Sequence, residues 1–529
     1  MKRILSLSSS HTHVPFLIAA AAYAAVTAAI LLASLHAADG HFIYPLDDTY
    51  INMAMAKNFA SHGVWGISPY QFSSSTSSPL YVLVLSTIYR FVGPSQYVPL
   101  VLACGFGLAS IYVAAQIVSD YLSKTWQQTV ILVVAILLTP LFVLGVLGME
   151  HSLHLLLTLL FLQRFEREGE SPWVIAAITA LMVAARYEGL FMAAVAFAIF
   201  AAQRKWSRAA IIAVAAWVPV CGYALFSISH GGYWLPNSVA IKGLRTHGLS
   251  MRGQILNRLA ITVTNSILGI HLLLLLTGIV ITAFALRKIQ PRLAIMLCLV
   301  AGAGYLHLVM ADIGWVFRYE DYLIAAGILA VGCALPSFPQ FSRVAAISAS
   351  FLFFCAAAFL MGRALTAGVS LPQYSRAIYL QQWQMAGFLH AYYPQAAVAA
   401  NDIGAINFRN NLHCIDLVGL ANSDIFAARR TGSYSTQFLD RETASHDVKV
   451  AMIYDSWFSP QSKVLFSGPA VPASWIRVGR WRIPHQQQLG SDTVSFYALT
   501  PDQVSLLAAH FHEFKSVLPS EVTATSGSM

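Results

Sequence analysis

Long apolar runs, separated by short polar loops, recur through the first two thirds of the chain. They lie at 14–36, 80–92, 97–119, 127–147, 150–163, 172–185, 189–203, 209–229, 259–286, 293–311, 320–335 and 344–365. Several reach the roughly 18 residues that a bilayer core requires, which predicts membrane-spanning helices. The basic residues in the intervening loops assign one side to the cytoplasm. They are Lys124, the stretch Arg164 to Arg167, Arg204-Lys205, Arg287-Lys288 and Arg343, with Lys2 and Arg3 at the N-terminus. This charge pattern asks for eleven crossings against twelve runs. Run 80–92 is the short one, and it is expected to be re-entrant or half-buried. Run 14–36 is longer than the apolar core of a signal peptide and reads as a retained helix.

From residue 366 the pattern changes. A helical period covers Gln381 to His390, and a strand-like AAVAAND then ends at Asp402-Ile403-Gly404. The motif IDLVGLAN follows, with Asp416 and Gly419, and another strand, VKVAMIYD, ends at Asp455. Alternating strands and helices predict a mixed α/β domain. Odd crossing parity puts it outside the cytoplasm. The expected fold class is a polytopic α-helical membrane protein of about eleven crossings, with a C-terminal extracytoplasmic α/β domain. Residues 1–365 form the membrane domain, with a first external loop at 37–78, and residues 366–529 form the second domain.

Composition agrees. Of the 529 residues 57% are apolar and 10% charged, against about a quarter charged in soluble domains, which excludes a soluble globular protein. The net charge of +9 resides in loops such as Arg204-Lys205-Arg208 and Arg287-Lys288-Arg292, so it is topological bias and not a phosphate-binding stripe. Cys104, Cys221, Cys298, Cys333 and Cys355 fall in apolar runs, and Cys414 stands alone in the polar tail, so no disulfide framework is implied. Gly105 and Gly107 read as helix-packing residues and not as a phosphate loop. There are no internal repeats and no zinc-type Cys/His spacing.

Against this background the stretch from Pro45 to Ile51 stands out, because Asp47 and Asp48 sit where the chain leaves the first apolar run. Carboxylates at a membrane boundary point to function. The structural alternative is that Asp48 caps a helix beginning at Thr49, which leaves Asp47 without a role. Four further polar motifs fall on the same predicted side. They are GMEHS with Glu150 and His151, ARYEG with Arg186 and Glu188, WLPNSVAIKG with Asn237 and Lys242, and FRYED with Arg318, Glu320 and Asp321. Each alone reads as an interfacial loop with snorkelling side chains; together they suggest one cavity at the outer face.

These elements resemble the GT-C class of polytopic glycosyltransferases that use polyprenyl-phosphate sugars. The resemblance rests on the acidic pair Asp47-Asp48, followed by a Ser-Pro-Leu element in TSSPLYVLVL. Within that class the chain is most similar to bacterial arabinofuranosyltransferase-like proteins. Their ordered motifs correspond here to GMEHS, ARYEG, LPNSVAIKG and NDIGAI…DLVGL, spanning residues 44 to about 422. Tyr187 stands where the family has proline, and His151 where it has threonine; both departures bear on substrate identity.

The resemblance implies inverting transfer of a sugar, arabinofuranose in the nearest relatives, from a polyprenyl-phosphate donor to a hydroxyl of a cell-envelope glycan or lipid. It also implies a plasma-membrane location. A departing polyprenyl phosphate needs no general acid, so the chemistry calls for a base on the acceptor. Asp47 is the candidate, with Asp48 orienting the acceptor or raising its neighbour's pKa. Lys242, Arg186 and Arg318 are candidates for the leaving phosphate, joined by His151. Glu150, Glu188 and Asn237 would support donor or acceptor. No residue spacing specifies a metal, and a divalent cation is left open. A lipid or glycolipid flippase is the rival from another class; it would place ionisable groups near the bilayer midplane. A non-catalytic glycan-binding scaffold is a third reading, which needs far fewer membrane segments.

Overall fold

The protein is described by a computed structural model over residues 9–165, 171–243, 269–459, 466–484 and 490–527, with the single positions 253, 256 and 462. Among the described residues six helices are long and apolar enough to cross a membrane. They are His13–Ala37, Val98–Ser119, Trp206–Ser229, Pro291–Met310, Asp321–Gln340 and Arg343–Tyr392. A seventh span is formed if Thr125–Leu138 and Leu141–Leu147 are taken together, and the two pieces meet at 51°. The run at 127–147 is therefore broken, and Pro140, which has no N–H to continue the first piece, stands at the break. Shorter apolar helices cover Pro79–Val92, Pro172–Ala185, Gly189–Ala202 and Ile270–Leu286. Run 259–286 lies outside the described residues before 269. The run ending at 365 continues as helix to Leu380. Polar residues from Arg363 onward end the apolar signal there, but not the helix.

Two compact units emerge. The first comprises Met1–Leu31, Leu100–Gly222 and Gly248–Ser370 and is helical. In it Pro291–Met310 packs on Ile270–Leu286 and Gly189–Ala202, while Asp321–Ala334 packs on Thr125–Leu138 and His151–Phe165. Its interior is aliphatic, with Leu132, Leu155, Leu276, Leu297 and Ile324 all buried.

The second unit comprises Leu32–Pro99, Tyr223–His247 and Leu371–Met529. It holds a six-stranded mixed sheet: β1 (Ala397–Ala400), β2 (His413–Asp416), β3 (Val450–Ile453), β4 (Ile476–Arg482), β5 (Thr493–Ala498) and β6 (Thr523–Ser526). The spatial order is β2-β1-β3-β5-β4-β6. The first three strands pair in parallel and the other pairings are antiparallel. One face is held by aromatic packing. Trp481 lies 4.4 Å from Phe496 and stacks on Phe514 at 5.6 Å, with Phe388 and Phe511 alongside. Such pairs add about 0.5–1.5 kcal/mol each beyond their buried area.

The same unit contains the helix Asp47–His62, which packs on Pro79–Val92 and on Gly404–Arg409. Its N-cap residue is Leu46, in extended backbone, and no side chain caps it. The expectation that Asp48 is the N-cap is therefore corrected. Both aspartates lie inside the first turn, where their charge favours the helix dipole.

Candidate active site

Ligands of α/β sheets gather beyond the carboxyl ends of parallel strands, and three polar groups of this unit leave the sheet there. Asp402 follows β1, Asp416 ends β2, and Tyr454 follows β3. Asp416 is spent on its own turn. Its two carboxylate oxygens accept from Val418 N at 2.8 Å and Ala421 N at 2.7 Å. Gly419 occupies the left-handed region at φ +87°. The DLVGL motif is thus a turn locked by its own aspartate.

Asp402 belongs to a polar triangle. Tyr454 Oη donates to Asp402 Oδ2 at 2.5 Å, and Gln382 Nε2 reaches the same oxygen at 2.8 Å and Tyr454 Oη at 2.7 Å. Immediately after Asp402, the helix Gly404–Arg409 begins. Its first N–H groups have no partner within the helix. They find one in Asp47, where Gly404 N donates to Oδ2 at 2.6 Å and Ala405 N to Oδ1 at 2.8 Å. A β-carbon at Gly404 would collide with the Asp47 carbonyl oxygen and lie 2.8 Å from its carboxylate. Only glycine allows this approach, which explains the Gly in NDIGAI.

Asp47 is buried at 9% exposure, while Asp48 is half-buried. Burial first, then the negative charge of Asp402, pushes the Asp47 carboxyl up to about 8, against the pull of the two N–H bonds. Burial likewise raises Asp402. The result is a carboxylate of fixed orientation whose ionisation lies near neutrality, which suits a general base.

Two more of the sequence motifs join this unit. Thr76 Oγ1 donates to Asn52 Oδ1 at 2.9 Å, tying the TSSPL element to the acidic helix. Asn237 N donates to Ser74 O at 2.9 Å, bringing the LPN element to the same loop. The Asn237 amide is fully buried, and neither its oxygen nor its nitrogen has a hydrogen-bond partner. Lys242 lies on the short helix Asn237–Gly243; its side chain falls outside the described residues.

In the helical unit the remaining motifs converge on Arg186. Its Nη1 donates to Glu150 Oε1 at 2.7 Å and to His151 Nε2 at 2.9 Å, and it grips Glu188 through Nη2 at 2.6 Å and Nε at 3.2 Å. Because arginine only donates, His151 Nε2 is an acceptor and the ring is no cation here. Both Arg186 and Arg318 lie over the Tyr319 ring, at 5.4 and 5.2 Å. Arg318 is buried, and its Nη1 lies 3.1 Å from Met149 Sδ. Arg186 is thus charge-balanced by two carboxylates, and Arg318 is the better candidate to meet a ligand anion.

A second buried hub was invisible in the sequence. Arg363 Nη2 meets Glu320 Oε1 at 2.7 Å and Phe317 O at 3.1 Å, and Nη1 donates to His271 Nε2 at 3.1 Å. Trp315, Val316 and Phe317 all have positive φ, between 45° and 58°, a strained turn of the kind found at functional sites. Also missed were Lys57, Gln382 and Tyr454. Lys57 alone carried a signal: it is the one lysine on the acidic helix.

Known proteins share parts of this arrangement. A model for a domain of unknown function, DUF8728, matches residues 374–497, which include β1 to β4 and most of β5. No curated protein matches the chain. ArnT from Cupriavidus metallidurans, in a crystal structure bound to undecaprenyl phosphate, superposes with a TM-score of 0.53 at 14% identity. The match covers 90% of this chain and 97% of ArnT. The chain has the fold of ArnT. Its apo crystal structure superposes equally well, with a TM-score of 0.53 at 14% identity over 91% of this chain and 98% of ArnT. The crystal structure of the Archaeoglobus fulgidus oligosaccharyltransferase complex with Zn and sulfate gives a TM-score of 0.44 at 12% identity, over 95% and 75% of the two chains. The protein is accordingly a multi-pass membrane protein with a GT-C-like helical architecture and a C-terminal α/β domain.

Proposed function

We propose that the protein transfers a sugar from a polyprenyl-phosphate donor to an acceptor hydroxyl of the cell envelope, with inversion. Arabinofuranose is the sugar favoured by the motif order of the sequence. The observation that carries the reading is the orientation of Asp47 by two backbone N–H groups, beside half-buried Asp48, in a chain with the fold of ArnT. Asp47 takes the acceptor proton as the sugar–phosphate bond breaks. Asp48 orients the acceptor. The departing phosphate is an anion and needs positioned donors, for which Arg318, Lys242 and the unpartnered amide of Asn237 are the groups. Glu150, Glu188 and His151 act indirectly, by holding Arg186 and the Tyr319 face. The α/β domain lies outside the plasma membrane, where lipid-linked sugars for envelope assembly are presented.

The test is turnover of purified protein on a synthetic polyprenyl-phosphoryl arabinofuranose, with release of polyprenyl phosphate as readout. Asp47→Asn should lower it about a hundredfold or more, the range for a lost general base.

A second reading, a lipid flippase, draws on Asp321. It is buried, both its carboxylate oxygens lack hydrogen-bond partners, and Arg363 lies 3.9 Å away at the end of a membrane helix. Ionisable groups so placed often serve transport. Movement of a fluorescent polyprenyl phosphate across proteoliposomes, without glycosidic bond formation, would favour it.

A further inference from the structure

Lys57 is absent from every motif that pointed to the site, yet it is the most heavily engaged lysine of the described chain. Its Nζ donates to the carbonyl oxygens of Asn407 at 2.8 Å, Phe408 at 3.0 Å and Asn410 at 2.8 Å, and to Asn411 Oδ1 at 3.2 Å. These are the last carbonyls of the helix Gly404–Arg409 and the turn that follows. They are the acceptors that a helix C-terminus leaves unsatisfied, and a cation there also meets the negative end of the dipole.

The other end of that six-residue helix is held by Asp47. Both clamping residues come from the single helix Asp47–His62, ten positions apart, which is about 15 Å of helix rise. The clamped helix rises about 9 Å, and the long lysine side chain spans the difference. The two helices therefore lie side by side in the same direction. An isolated helix this short is unstable in water, so its position depends on its two ends.

Resting on the transferase reading above, we infer that Lys57 is a positioning residue for Asp47, acting through the helix Gly404–Arg409. By fixing the carbonyl end it keeps the Gly404 and Ala405 N–H groups aimed at the carboxylate. Without it the short helix can slide or fray, and Asp47 loses the donors that keep it ionised and oriented. Asp402, Asp48, Tyr50, Tyr454 and Cys414 are the other titratable groups that face Asp47. None of them is cationic, so the backbone N–H groups are its only positive partners in that set. Burial pulls the Lys57 ammonium down to about 8, while three carbonyl oxygens favour its charged form.

Lys57→Met and Lys57→Arg in the full-length protein in lipid nanodiscs test the assignment with two readouts. The first is amide hydrogen exchange at Gly404 and Ala405, whose N–H groups bond to Asp47, compared with Val450–Ile453 of β3. The second is the pH profile of sugar transfer. Lys57→Met should speed exchange at 404–405 about tenfold while β3 stays protected. It should also move the acid limb of transfer up by about one pH unit, the effect of losing one charge-assisted hydrogen bond. Lys57→Arg should restore both. Unchanged exchange at 404–405, or exchange that rises equally in β3, would overturn the assignment. A wild-type protein inactive on polyprenyl-phosphate sugars would instead sink the transferase reading, and the exchange comparison would still decide the clamp.

Discussion

Asp47 shows how far a single residue can be read from sequence. Its presence beside Asp48 at a membrane boundary singles it out, but its partners lie more than 350 positions away in Gly404 and Ala405, and no local pattern reports them. Those partners set its pH behaviour. The base works only when ionised, so transfer should rise as pH increases through the Asp47 pKa of about 8, not through the ordinary carboxylate range. Asp402→Asn removes the negative charge that helps raise that pKa, and should shift the acid limb downward. An acid limb near pH 4 in the wild type would contradict this. The arginines separate on similar grounds. Arg186→Ala would strand Glu150 and Glu188 without their partner, at about 3–5 kcal/mol, so lost folding should dominate. Arg318→Ala should leave the melting temperature closer to wild type and lower turnover about a hundredfold. Equal stability losses in the two variants would remove Arg318 from the phosphate site.

Among the elements, hydrophobic runs gave the helices because apolarity at that length needs no tertiary context. β1, β2 and β3 were legible for a related reason: parallel strands covered on both faces are apolar throughout. β4 was not. Its IRVGRWR sequence carries three arginines, and its alternation is interrupted by an irregularity between Arg477 and Gly479. β6, TATS, is a short polar edge with little signal. The turns were visible as motifs, although their purpose was not, because a glycine's necessity depends on what approaches it. Gly404→Ala should drive a methyl group into the Asp47 backbone, with about 1–3 kcal/mol of overpacking and loss of transfer. Gly419→Ala, at φ +87°, should cost about 1–2 kcal/mol of stability while turnover per folded molecule is kept. Circular dichroism melts with parallel activity assays separate the two outcomes, and a Gly404→Ala protein with full activity would refute the close approach.

For the whole molecule, composition and run length fixed the membrane class, while the number of crossings was beyond them. Helices of 14 residues such as Pro172–Ala185 and Gly189–Ala202 are too short to be judged by length, and the broken span at Pro140 reads as one run. Cysteine labelling from outside the cell should modify positions near Trp65 and Asp402 and spare those near Arg204 and Arg287; the reverse pattern would invert the proposed topology. The central claim is that this fold performs sugar transfer with the first-loop aspartate as base. Its most direct measurement is single-turnover transfer from a radiolabelled polyprenyl-phosphoryl sugar, by wild-type and Asp47→Asn protein of matched thermal stability. A new glycosidic bond formed stoichiometrically with released polyprenyl phosphate, and a rate about a hundredfold or more lower in Asp47→Asn, is the result predicted. Equal rates in the two proteins, or lipid movement without bond formation, would contradict it.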